Sequence, residues 1–495
     1  MSITTGRLLD GWAEQGSPLL IDGRLVTGDR HFETIDPATE EVIGPAADAA
    51  PGLLDTAIAA ARRAFDDSGW AADLALRVRC LRQLRQALVR HGDELRALTV
   101  REAGAPRFLT FGAQLDAPVA GLGWVADLAE TYAWTRDLGR AAPMGIPSDR
   151  RVLREPVGVV GAITPGNFPH QINLAKLGPA LAAGNTVVLK PAPDTPWCAA
   201  ALGRLVAEET DIPPGVVNVV TGRDHALGAR LAADPRVDLV SFTGSTATGR
   251  AVMHAAAQTL KRVFLELGGK SACVVLDDAD LARACGYAAF AAISHAGQGC
   301  ALTTRLLVPR ARHDEAVEIT ARTMARIGTG DPSDDRTVCG PVISARQRDR
   351  VERYLKLAVA EGGSFATGGR RPDRDRGFWI EPTLITGLSN QARAAREEIF
   401  GPVLVVLPHD GDDDAVRIAN DSPYGLSGAV HAGDPERARA VARRLRTGTV
   451  SVNGGIWYGP DVPFGGYKQS GIGREMGVAG FEEYLETKSI AEGAG

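Results

Sequence analysis

From residue 156 to residue 266, short β-branched runs alternate with helical stretches: "VGVVGAI", a helix over about 169–182, "TVVLK", a helix after Asp194, "VVNVV", a short helix, "VDLVSFTG", a helix over 246–259 and "RVFLEL". Apolar strands separated by helices predict a parallel sheet covered on both faces, and so an α/β fold. Such sheets bind ligands just outside the carboxyl ends of their strands. That rule singles out Pro165 to Asn167, Lys190, Thr221 to Gly222, Thr243 to Ser245, and Glu266 to Gly269.

A chain of 495 residues has room for two or three domains at about 150 residues each. Leu, Ala and Val recur at helical spacing over 53–66 and 73–100, whereas 136–155 reads as turn-rich. A second strand and helix series opens with "SACVVL" at 271–276 and runs to about 450. The stretch 477–495 is too short to fold alone and is expected to pair with another part of the chain or another subunit. "RARAVARRLRTG" (437–448) reads as an amphipathic helix with a solvated arginine face.

The net charge of −5 comes with no run of lysines and arginines that would follow a phosphate backbone, which argues against nucleic acid as a partner. The start "MSITTGRLLDGW" lacks the pattern of a secretory signal, and no apolar run approaches about 18 residues, so the expectation is a cytoplasmic protein with no membrane partner. Six cysteines are scattered with no C-x-x-C pair, and H-E-x-x-H is absent, which leaves neither a disulfide scaffold nor a metal site to expect.

"FTGSTATGR" has the glycine spacing of a P-loop, but Arg250 stands where that motif needs lysine, and G-x-G-x-x-G is missing too. What remains is a strand, a glycine turn and a helix N-terminus able to hold a pyrophosphate. Taken with "LELGGK" (Glu266), "GQGC" (Cys300), "ITPGNFP" (Asn167), "EEIFGP" (Glu398, Phe400) and "PFGGYKQSGIGRE" (Glu475), the chain resembles the aldehyde dehydrogenase superfamily of the hydrolytic, NAD(P)-dependent type. The motifs stand in the family's order, and the resemblance spans about residues 20–490.

Oxidising an aldehyde requires hydride to leave carbon, and thiolate addition first creates the tetrahedral thiohemiacetal from which it can leave. Cys300 is the candidate nucleophile; alone it would read as an inert buried thiol, but Gly297, Gly299 and Ala301 leave room for a substrate. Asn167, otherwise a turn or cap residue, is assigned by the resemblance to the oxyanion together with the Cys300 backbone N–H. Glu266, otherwise a strand-end ion-pair partner, becomes the base that activates water against the thioester. Glu475 resembles the family's proton-relay residue and reads equally well as structural.

For the cofactor, the resemblance assigns Lys190 to the adenosine ribose, Gly244 and Ser245 to the pyrophosphate, Leu267 to the carboxamide end and Glu398 to the nicotinamide ribose, with Phe400 packed nearby. Thr164, Pro165, Pro193, Thr243 and Thr248 complete the set. Alone, Lys190 would read as a solvated lysine and Glu398 as half of a surface ion pair. Many NAD-preferring members carry glutamate where this chain has Pro193, so the expectation is NAD with NADP tolerated.

Further departures are Gly166 for a tryptophan, Ala175 for a bulky aromatic and Ser294 for a phenylalanine. With Phe168, Gln171, Tyr458 and Phe464 they predict a wide pocket for a medium or large aldehyde, cyclic or aromatic. A semialdehyde substrate is the alternative and would need a pocket arginine, Arg305 being the nearest in sequence. A noncatalytic protein retaining the fold, or a thiol esterase, is the competing class. His170 and His295 are expected to be satisfied structural histidines.

The resemblance implies a Rossmann-like cofactor domain (1–135 and 156–266), an α/β catalytic domain (267–476) and a small β oligomerisation segment (136–155 and 477–495). It also implies a homodimer or homotetramer.

Overall fold

The computed structural model describes residues 7–493; residues 1–6 and 494–495, at the ends of the first and last expected segments, lie outside them. Three of the five sheets among the described residues organise the chain, the other two being two-stranded.

The first sheet has eight strands, five of them parallel: Val217–Val219, Thr186–Lys190, Val159–Ile163, Leu239–Thr243 and Arg262–Glu266, in that spatial order. Their near-continuous burial is what a sheet covered on both faces requires. Ile163 pairs with both Lys190 and Phe242, and Thr243 pairs with Glu266, so the carboxyl ends finish almost level. The helix Pro169–Ala183 starts on a proline in its first turn and stops at Gly184, whose φ of 98° only glycine adopts without strain. At one edge Gly471–Ile472 pairs antiparallel with Leu265 and Glu266. This stretch, expected within the catalytic unit, thus completes the sheet that carries Glu266.

The second sheet has seven strands, with Ser271–Val275 and Thr303–Pro309 side by side at its centre, Ser271 opposite Thr303. The helix expected over 437–448 is shorter, Pro435–Ala442. The chain turns there because Asn420 clamps it, donating to the Arg444 carbonyl and accepting from the Arg446 N–H, ahead of the strand Thr449–Val452.

The stretch 136–155, expected to be turn-rich, is instead a hairpin of Thr135–Ala141 and Ser148–Pro156. The tail Leu485–Gly493 from the same chain joins it antiparallel, from Leu485 opposite Pro156 to Gly493 opposite Ser148. Arg, Asp and Gly carry little strand propensity, and the pairing itself supplies the order. This sheet exposes Leu138, Met144, Ile146 and Ile490. Among the described residues, no helix is long and apolar enough to cross a membrane.

Candidate active site

The carboxyl edge of the first sheet faces the amino edge of the second. Glu266 ends a strand of the first sheet, the turn 267–270 crosses over, and Ser271 begins a strand of the second. Cys300 stands three residues before the neighbouring strand. The two turns touch: a Cβ on Gly269 would stand 2.6 Å from the Cys300 carbonyl oxygen. Of the six free cysteines, five are buried, and Cys300 alone is partly accessible.

The loop before Cys300 holds three consecutive left-handed residues, His295 (φ 50°), Ala296 (φ 52°) and Gly297 (φ 70°). Only the glycine takes this conformation freely, and the other two each cost of order 1 kcal/mol. Side-chain bonds hold the loop: Gln298 Oε1 accepts from the Ile343 N–H at 2.8 Å, and Gln298 Nε2 donates to the His295 carbonyl at 3.2 Å. His295 Nε2 donates to the Asn167 carbonyl at 2.7 Å, and Gln114 Nε2 donates to the same oxygen at 2.9 Å. Burial lowers His295 to about 4, so its ring is neutral. His170 departs from expectation: it is buried, its pKa falls to about 4, and neither ring nitrogen has a hydrogen-bond partner among the described residues.

Asn167 is thus fixed at its backbone, while its side-chain Nδ2 donates to the Gln298 carbonyl at 2.7 Å, two residues before Cys300. An amide nitrogen carries two N–H groups, so one remains to meet an oxyanion.

The Glu266 carboxylate is 1% exposed, and neither oxygen has a hydrogen-bond partner among the described residues. Gly465 makes room for it, since a Cβ there would stand 2.7 Å from Oε1. Burial first, then the like charge of Glu475, pushes Glu266 well above the usual carboxylate range, while Lys176 and Arg474 oppose the shift. Glu475 is paired with the Lys176 ammonium at 3.1 Å. Lys176 also donates to Ser241 Oγ at 3.1 Å, and Ser241 Oγ lies 3.1 Å from the Tyr484 hydroxyl. Burial, followed by the Glu266, Glu398 and Glu475 carboxylates, pushes the Cys300 thiol far up. Both shifts favour the protonated form of the nucleophile and of the base.

Lys190 is buried, not solvated: its ammonium donates to the Pro191 and Gly222 carbonyls at 3.0 and 3.2 Å, and its pKa falls to about 8. Thr164 N–H donates to the Lys190 carbonyl, and half-buried Pro165 follows. Ser245 caps the helix Thr246–Ala257, its Oγ accepting from Thr248 N–H. Gly244 N–H donates to the Glu266 carbonyl, and Thr243 Oγ1 is buried with no partner among the described residues. Gly249 lets this helix approach the strand end: a Cβ there would stand 2.6 Å from Leu267. Glu398 is no surface ion pair; its Oε1 accepts from the Gly269 N–H at 3.1 Å, and burial lifts it to about 7. Phe400 adopts a left-handed φ of 62°.

A cleft is lined by Trp124, Val125, Gln171, Ala175, Tyr458 and Phe481 among others, with no lysine or arginine; Cys300, Asn167 and Glu266 do not line it. Three residues expected in the pocket do not line this cleft. Phe168 packs edge-on against His295, Ser294 is buried at the end of the helix Leu281–Ile293, and Phe464 stacks on Trp457 at 5.2 Å. Arg305 is equally remote from it: its guanidinium donates to the Lys270, Ile418 and Ala419 carbonyls and to Asn390. Lys176 and Gln114 carry no motif that would single them out in the sequence, and Gln298 stands inside "GQGC" without being picked out as a loop anchor. Lys176 leaves only a trace, as a lysine in a helix that is apolar nearly all round.

The sequence matches the model of the aldehyde dehydrogenase family over residues 25–490. It is 44% identical over 478 residues to a 3-succinoylsemialdehyde-pyridine dehydrogenase of a Pseudomonas species, covering 95% of this chain and 97% of that protein. It is 42% identical over 461 residues to the geranial dehydrogenase of Castellaniella defragrans, covering 92% and 94%. Its structure resembles that of a Mycobacterium tuberculosis aldehyde dehydrogenase complexed with NAD+, with a TM-score of 0.91, 40% identity, and coverage of 96% and 97% of the two chains. A match of this extent, around an accessible cysteine facing a buried glutamate, means that the chain belongs to the aldehyde dehydrogenase family, the oxidoreductases that act on the aldehyde group.

Proposed function

We propose that the protein oxidises an uncharged aldehyde of medium or large size, cyclic or aromatic, to its carboxylic acid through a Cys300 thiohemiacetal and thioester, with NAD preferred and NADP tolerated. The observation that carries the substrate class is the lining of the cleft: mostly aliphatic and aromatic side chains, with no lysine or arginine to meet a carboxylate. The geranial dehydrogenase relative supports the uncharged, medium-sized part of that class only, geranial being an open-chain aldehyde.

The cofactor residues fit a nicotinamide dinucleotide. A capped helix N-terminus, the orphaned Thr243 hydroxyl and the buried Lys190 ammonium all lie at the level carboxyl ends of the first sheet. Lys190 would hold the adenosine ribose, Thr164, Pro165, Gly244, Ser245 and Thr248 the pyrophosphate side, and Leu267, Glu398 and Phe400 the nicotinamide end. The group supplies a hydride acceptor when bound.

The chain's own residues do the rest. Cys300 Sγ passes its proton to ionised Glu266 and adds to the aldehyde carbon, and the resulting oxyanion is met by the free Asn167 N–H and the Cys300 backbone N–H. Once the thioester has formed and Glu266 has shed that proton, Glu266 takes a proton from water, whose hydroxyl adds to the acyl carbon and releases the acid and the Cys300 thiolate. The proton leaves Glu266 toward Glu475, which Lys176 holds in place.

The exposed apolar residues of the three-stranded sheet support a homodimer or homotetramer built on that sheet, in a cytoplasmic enzyme. The test is formation of reduced cofactor with aliphatic, aromatic and cyclic terpenoid aldehydes and with carboxylate-bearing semialdehydes, Cys300→Ala run beside the parent. Neutral bulky aldehydes leading the kcat/KM ranking, and loss of turnover in the variant, are expected. A semialdehyde at the top would replace the substrate class, and turnover surviving in Cys300→Ala would remove the thioester route.

A further inference from the structure

Beside Lys190, the carboxyl end of the first sheet gathers charge from three separate segments. Position 193 is proline, so the nearest carboxylate is Asp194, one residue further on. Arg346, in the first turn of the helix Ala345–Ala360 of the other α/β unit, brings its guanidinium to 3.8 Å from Asp194 Oδ2. Lys190 and His225 face the same carboxylate, and Asp224 lies beside His225. Two of the three Lys190 N–H groups are spent on backbone carbonyls.

The Asp194–Arg346 pair is loose. A charge-assisted hydrogen bond closes to about 2.7–2.9 Å, and at 3.8 Å the two side chains feel each other's charge without sharing a proton. The Arg346 side chain is 72% exposed, so its donors remain free, whereas Asp194 is 28% exposed and anchored on the loop after Lys190. In dinucleotide sites of this sheet type, a carboxylate near the ribose selects the 2′-hydroxyl and an arginine nearby accepts a 2′-phosphate. Here both are present, opposed across one gap, and they come from different units of the fold.

We infer that Asp194 and Arg346 together set the choice between a 2′-hydroxyl and a 2′-phosphate on the adenosine ribose. Arg346 leaves Asp194 to take a 2′-phosphate through two N–H donors, and Asp194 opposes that phosphate by charge. The inference rests on the reading that Lys190 contacts this ribose. It differs from the tolerance expected from Pro193 alone, because it names an attractive and a repulsive group whose removal has opposite effects.

The experiment is calorimetric titration of adenosine 2′,5′-bisphosphate and of ADP into the parent, Asp194→Asn, Arg346→Ala and Lys190→Met, with kcat/KM for NADP and NAD measured alongside. The ratio of the bisphosphate Kd to the ADP Kd should fall about fivefold or more in Asp194→Asn, where a repulsive charge is removed, and rise about tenfold in Arg346→Ala, where an attractive one is removed. The kinetic cofactor preference should move in the same two directions. Asp194→Ser serves in place of Asp194→Asn if that protein does not fold. A ratio that stays constant in both variants, or moves the same way in both, overturns the inference. Lys190→Met separates the underlying reading: it should weaken both ligands, and unchanged ADP binding there would show that the ribose lies elsewhere.

Discussion

The Lys176 ammonium stands 3.1 Å from the Glu475 carboxylate, completely buried on the lysine side, and the two residues are 299 positions apart in the chain. Between them they set the charge felt by Glu266, which Glu475 pushes up and Lys176 draws down. The acid–base behaviour of the site therefore depends on burial and on charges contributed by several side chains, these two the leading ones.

That arrangement predicts the pH dependence of turnover. Glu266 must be ionised to take a proton from water, and burial raises its folded pKa, so the rate rises with pH through that value. Glu475→Gln removes a like charge and should move the rising limb of kcat to lower pH. Lys176→Met removes an opposite charge and should move it to higher pH. Profiles of kcat against pH for the two variants check this, and shifts in one common direction would contradict it.

Asn167→Ala should lower kcat by about 100- to 1,000-fold, the usual cost of one oxyanion donor, with the fold intact. Circular dichroism and steady-state kinetics on one preparation measure both. Gln298→Ala, which frees the loop that holds the amide, should cost less, about tenfold, because the donor itself is retained.

Ala175 lines the wide cleft, and a larger side chain there would fill it. Ala175→Phe should reduce kcat/KM for a cyclic terpenoid aldehyde about tenfold or more while acetaldehyde changes little, since lost volume penalises only the larger ligand. Equal losses for both aldehydes would place the substrate outside this cleft.

Glu102 is fully buried and accepts from Thr34 Oγ1 at 3.1 Å and from the N–H groups of Trp197 and Cys198 at 2.7 and 2.8 Å. Burial raises its pKa from 4.5 to about 7. A carboxyl group raised on folding stabilises most below its unfolded value, and that contribution is lost as pH rises through the folded one. Denaturant titrations between those two pH values should show the parent losing stability relative to Glu102→Gln. Parallel curves would mean that Glu102 keeps an ordinary pKa.

Much of this site is legible in the chain. Contiguous apolar strands locate the first sheet, and the strand-end rule reaches Asn167, Lys190, Ser245 and Glu266 directly. Cys300 is not reachable that way, because it sits at the amino edge of its sheet; its motif identifies it. Lys176 and Gln114 act through partners distant in sequence, which no local pattern encodes, and Gln298 sits within the cysteine's motif while its partner Ile343 lies far along the chain. The hairpin over 135–156 is illegible for another reason. Its residues are mostly exposed or half-buried, so it lacks the alternation that betrays a strand.

The strand carrying Glu266 is completed by residues 471–472, and Leu267 N–H donates to the Ser470 carbonyl. A chain emerging from the ribosome therefore makes its cysteine long before it can secure the glutamate that works with it.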